Sequence, residues 1–94
     1  MSAVAKRLVI RGRVQGVGYR DAVVQAAFER GVAGWVRNRH DGSVEVFTQG
    51  VPESVAGFIG WCRQGPPLAR VVAVDVLPAE IVAGLTRFAL RSTG

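Results

Sequence analysis

Across Gly12-Arg13-Val14-Gln15-Gly16-Val17-Gly18-Tyr19-Arg20 the hydrophobic period of the chain changes, and that change restricts the available folds more than any other feature. Before the change, from Lys6 to Val14, Leu8, Ile10 and Val14 alternate with Arg7, Val9, Arg11 and Arg13, as in a strand buried mainly on one face. After it, Asp21 to Arg30 sets Ala22, Val23, Ala26 and Ala27 at helical spacing, with an acid in the first turn, a base in the last and Gly31 as the stop. A strand must therefore pass into a helix through a loop containing Gly16 and Gly18.

Such a loop is suited to an anion. Glycines let backbone N–H groups converge without interference from Cβ, a helix start adds unpaired N–H groups and the positive end of its dipole, and Arg20 adds a planar charged fork. Phosphate is the expected guest. Gly16 and Gly18 alone would be better explained as an ordinary tight turn. Arg20 shifts the balance, because an exposed cation at a helix N-terminus costs about 0.3–1 kcal/mol, a sign that a bound anion reverses.

The remaining pattern completes an α+β order. Ala33 to Asn38 and Ser43 to Gln49 flank Asp41-Gly42, which predicts an antiparallel hairpin whose loop can exceed two residues. Pro52 opens a second helix with Val55, Phe58, Ile59 and Cys62 on its apolar stripe, and Gly65-Pro66-Pro67 ends it. Arg70 to Leu77 predicts a fourth strand, closed by Pro78, and Thr86 to Arg91 a short final one. Strand, helix, strand, strand, helix, strand is the order of a ferredoxin-like split βαβ sandwich, βαββαβ, with an antiparallel sheet, two helices on one face and a short extra C-terminal strand. With 94 residues, one domain spanning 1–94 is expected.

That fold hosts metal chaperones, RNA binders, regulatory modules and enzymes, so the site must discriminate. Paired cysteines are missing from the loop after the first strand, which disfavours a metal chaperone. Ser43-Val44-Glu45-Val46-Phe47 offers one aromatic beside an acid, a poor platform for stacked RNA bases. The formal charge of +5 favours anionic partners, but the arginines are dispersed rather than run together, so nucleic acid is not an obligatory partner. No Gly-Lys-Ser/Thr follows the loop, and Asp21 stands where a dinucleotide fingerprint needs its third glycine. Cys62, the single cysteine, sits on the apolar stripe of the second helix, away from the loop that a cysteine phosphatase would need. One histidine, His40, in a predicted turn supports neither a general base nor a Ser-His-Asp triad. No Cys/His cluster suggests a metal, and a lone cysteine, no secretory pattern and no apolar segment of membrane-spanning length together lead us to expect a cytoplasmic protein.

Two blocks in order resemble the acylphosphatase family. The first contains Gly12, Val14 to Val17, Tyr19 and Arg20; the second contains Gly34 to Val36, Asn38, Asp41, Gly42, Val44 and Glu45. Gly65-Pro66-Pro67-Leu68-Ala69-Arg70 resembles the family's connection into its fourth strand, and the likeness fades after about Val71, where Val71-Val72-Ala73-Val74 is apolar. By itself Asn38 is most simply a turn-starting asparagine bonded to its own backbone. The resemblance implies a different role, holding the attacking water.

It further implies hydrolysis of a small-molecule acyl phosphate to a carboxylate and inorganic phosphate, with no metal and no cofactor. Arg20 and the backbone N–H groups of Gln15, Gly16, Val17, Gly18 and Tyr19 would grip the phosphoryl oxygens, and Asn38 would orient water for in-line attack. A carboxylate leaves without a proton, so no general acid is needed. Tyr19 and Trp35 are expected to pack beside the site, Asp41 to serve the turn, and the protein to act as a monomer without a membrane. The alternative is a non-catalytic anion- or RNA-binding module of the same fold. Keeping both Arg20 and Asn38 favours the enzyme, since binding alone needs only the arginine.

Overall fold

The computed structural model describes residues 2–94. Its elements are β1 (Val4–Arg13), α1 (Tyr19–Arg30), β2 (Ala33–Asn38), β3 (Val44–Gly50), α2 (Pro52–Gln64), β4 (Arg70–Pro78) and β5 (Phe88–Leu90). The sheet order is β4-β1-β3-β2-β5. Among its first four strands every neighbouring pair is antiparallel, and β3 lies between β1 and β2, the two strands that α1 connects. This is the expected ferredoxin-like α+β arrangement.

Strand alternation separates two faces. Leu8, Ile10, Val36, Val44 and Val46 are fully buried, and they meet Val23, Ala26 and Ala27 of α1 and Val55, Phe58 and Cys62 of α2. Burying a side chain such as Leu8 or Phe58 is worth about 1.5–3 kcal/mol, so this layer is the principal favourable term. The opposite face carries Arg7, Trp35, Arg37, Glu45 and Phe47, in register across β1, β3 and β2.

That outer face resolves the dispersed arginines. Glu45 is buried, and its carboxylate meets Arg37 Nε at 2.8 Å, Arg7 Nε at 3.3 Å and Arg39 Nη1 at 3.6 Å. A buried carboxylate without such partners would be strongly penalised by desolvation. Trp35 stacks on Phe47 with ring centroids 6.3 Å apart, and the guanidinium carbons of Arg91 and Arg37 lie 4.7 and 5.3 Å from its ring centre. Trp35 is thus on the face opposite the helices, not beside the loop of residues 15–20 as expected.

The final strand is shorter than its predicted 86–91 span, and it pairs with β2 in parallel, which makes the sheet mixed. The direction follows from the connection: β4 and β5 are opposite edges, so residues 79–87 must cross the sheet. Gln49 holds that crossing segment. Its Nε2 donates to Val82 O at 2.9 Å and Leu85 O at 3.2 Å, and its Oε1 accepts from Val82 N at 2.8 Å. Phe88 then packs edge-on against Phe58, with centroids 5.6 Å apart.

Candidate active site

β1 leaves the sheet through an irregularity between Arg11 and Gly12. There the strands come so close that a Cβ on Gly12, whose φ is +131°, would run into the backbone at Arg70 and Val72. Val14 is buried and anchors the loop in the core. Gly16 and Gly18 have φ values of +73° and +77°, and Val17 between them keeps a negative φ. Apart from the adjoining residues of the chain, no atom of the described residues lies within 4 Å of a Cβ built at either glycine, so their requirement is conformational rather than steric. Alternating handedness of this kind turns successive N–H groups toward one point.

α1 starts at Tyr19, earlier than the predicted Asp21, because Gly18 in the left-handed region acts as its N-cap. No side chain among the described residues caps this end. The helix's first N–H groups therefore keep their hydrogen-bonding capacity at the positive end of the dipole. Tyr19 turns inward, and its hydroxyl donates to Cys62 O at 2.8 Å while its ring lies 6.1 Å from that of Trp61. Burial raises the pKa of this phenol, making it a weaker acid, with the neighbouring Cys62 adding to the effect. The Cys62 thiol, wholly buried, is pushed up to about 12 by desolvation, so it is an inert core thiol.

A cavity of about 160 Å³ opens over the helix start, lined by Val14, Gly16, Gly18, Tyr19, Arg20, Asp21 and Asn38. Arg20 is half-buried and has neither an ion pair nor a side-chain hydrogen bond among the described residues, in contrast to the arginines around Glu45. Asn38 reaches the same cavity from β2. It aligns with Val44, which aligns with Ile10, so its side chain is on the helix-facing side of the sheet at the end where β1 leads into the loop. Its carbonyl accepts from Gly94 N at 3.0 Å, while its Oδ1 is buried and has no hydrogen-bond partner among the described residues. An unsatisfied buried acceptor costs about 1–3 kcal/mol.

Of the predicted loop residues, Gln15 and Val17 flank the cavity without lining it. Val17 packs against the core. Gln15 turns its amide to the β2–β3 turn, with Nε2 donating to Arg39 O at 2.8 Å and Ser43 O at 2.9 Å. Sequence offered no sign of this, because the partners are carbonyls on a turn that the sheet order brings close. Asp21, expected only as a favourable first-turn acid, also lines the cavity. Asp41 serves the turn as expected: its carboxylate accepts from Ser43 Oγ at 2.6 Å and Ser43 N at 2.9 Å, and these bonds lower its pKa, helped by Arg39 and Arg11. His40 is exposed on that turn.

A larger cavity of about 510 Å³ lies beyond the other end of α1, lined mainly by apolar residues including Val24, Phe28, Val32 and Phe88. Neither Arg20 nor Asn38 lines it. Among the described residues, no group of three or more His, Cys, Asp or Glu side chains could hold a metal ion, and no helix is long and apolar enough to cross a membrane.

A ferredoxin-like sandwich with an uncapped glycine turn, a free arginine and an orphan amide in one cavity defines a small phosphate-handling α+β protein. Comparison with known proteins makes this specific. The family model described as Acylphosphatase matches residues 6–90. An acylphosphatase of Bradyrhizobium diazoefficiens is 48% identical over 94 residues, covering 100% of this chain and 91% of its own. One from Thermococcus kodakarensis is 54% identical over 76 residues, 81% of this chain and 84% of its own. The crystal structure of acylphosphatase from Bacillus subtilis superposes with a TM-score of 0.89 at 35% identity, over 94% of this chain and 98% of that one. The chain belongs to the acylphosphatase family, and it is an enzyme of that class.

Proposed function

We propose that this chain carries out its acylphosphatase activity with Arg20 and the Gln15–Tyr19 loop as the phosphoryl grip and Asn38 as the holder of the attacking water. The guanidinium fork and the loop N–H groups bind the non-bridging oxygens, where they neutralise charge that spreads over the phosphoryl group in the transition state. Water donates one hydrogen to Asn38 Oδ1, which directs an oxygen lone pair at phosphorus. The new P–O bond forms as the P–O bond to the acyl group breaks, its electron pair leaving with the carboxylate. The remaining water proton passes to a phosphate oxygen or to solvent. None of these assigned roles calls on a metal or a titrating side chain, and positioning supplies most of the rate.

The observation that carries this assignment is the pairing of two unsatisfied groups, Arg20 and Asn38 Oδ1, around one cavity. The substrate is a small acyl phosphate, and the whole chain acts as one monomeric domain in the cytoplasm, a setting consistent with its single buried thiol. Release of phosphate from benzoyl phosphate, measured in excess chelator, tests the assignment. Asn38→Ala should lower kcat by about a hundredfold while leaving inhibition by inorganic phosphate nearly unchanged. Normal turnover in that variant would remove Asn38 from the reaction.

A further inference from the structure

We propose that Gln15 is a positioning residue: its side-chain amide straps the phosphate loop to the β2–β3 turn and so sets the distance between the phosphoryl grip and Asn38. The inference rests on the assignment of Asn38 as water holder. Sheet pairing alone does not fix that distance, because β1 and β2 are separated by β3, and both reacting partners lie beyond or at the ends of their strands. Gln15 bridges the gap directly. Its Nε2 donates to Arg39 O at 2.8 Å, on the residue immediately after Asn38, and to Ser43 O at 2.9 Å, on the other side of the turn.

Both protons of the amide nitrogen are thereby used, which fixes its plane as well as its distance. Ser43 O also accepts from Arg39 N at 2.8 Å, so the bond that closes the turn and the bond that straps it share one carbonyl. A shift of the turn would move Asn38 relative to Gly16, Gly18 and Arg20 while leaving the grip itself unchanged. In-line attack tolerates little such movement, since displacement by about 1 Å can cost a hundredfold in rate.

Gln15→Met keeps the length of the side chain and removes both donors. We expect kcat to fall about tenfold to a hundredfold, while the inhibition constant of inorganic phosphate stays within about twofold. A cycle with Asn38→Ala isolates the coupling: Gln15→Met should cost less than about twofold once Asn38 is gone. Equal losses in the two backgrounds, or no loss in the single variant, would overturn the strap. Normal turnover of Asn38→Ala alone is a different result, one that removes the water-holding assignment and the strap with it. If Gln15→Met does not fold, as judged by circular dichroism, Gln15→Glu also lacks the amide donors and is carried through the same cycle above pH 7 with the same expected pattern.

Discussion

Arg20 differs from the arginines clustered around Glu45 in having no ion pair or side-chain hydrogen bond among the described residues. Arg7, Arg37 and Arg39 surround the buried Glu45 on the outer face, whereas Arg20 stands beside free helix N–H groups and Asn38. Its shape should matter as well as its charge, because a guanidinium offers two parallel donors to a phosphoryl group and an ammonium behaves as a point charge. Arg20→Lys is therefore expected to lower kcat/KM by about a hundredfold and to weaken competition by inorganic phosphate, both read from steady-state hydrolysis of benzoyl phosphate. Unchanged phosphate competition would take Arg20 out of the grip. Its placement next to the glycine loop was evident from order along the chain, since Arg20 follows Gly18 by two residues within one helical turn.

At the scale of elements, the β2–β3 turn is the part whose chemistry is most local. Arg39 N donates to Ser43 O and Gly42 N to Arg39 O, while Asp41 clasps Ser43 through both its hydroxyl and its N–H. The clasp lowers the folded-state pKa of Asp41 below its unfolded value of about 3.9. Its contribution is accordingly complete above the unfolded value and lost as pH falls through the folded one. Replacing Asp41 by Asn should flatten the part of the acid-unfolding profile below about pH 4, followed by urea midpoint against pH. An identical profile in the variant would exclude the clasp as a stabilising element. Asp41-Gly42 showed the turn plainly, but not its length, because the strand ends depend on where pairing with β3 stops.

For the whole molecule, the decisive feature is the segment from Pro78 to Phe88, which carries the chain from one sheet edge to the other and lets β5 cover β2. Gln49 supplies its only side-chain hydrogen bonds to the sheet among the described residues. Gln49→Ala should lower unfolding stability by about 1–3 kcal/mol, measured in urea, since it removes all of the hydrogen bonds that this buried side chain makes to the crossing segment. A change below a few tenths would show that the crossing segment is held by apolar packing instead. The site lies at the other end of the sheet, so kcat should change little. The same long-range assembly brings Arg7 of β1 to the hairpin that carries Arg37, Arg39 and Glu45, so that the three arginines converge on one carboxylate, an outcome that charge runs could not reveal.

The elements, the hairpin, the glycine loop and the motif blocks could be recognised in the chain because period, turn chemistry and helix signals act over a few neighbouring residues. Arg20 was legible for the same reason. Asn38 was not distinctive locally, where a turn-starting amide looks the same as a water holder; its place beside Arg20 depends on β3 inserting between β1 and β2. The same insertion brings the carbonyls of Arg39 and Ser43 within reach of Gln15, and sends Trp35 to the outer face by strand alternation. Backbone preferences are short-ranged, but the contacts that assemble a site join residues far apart in sequence and exist only when the sheet closes around them.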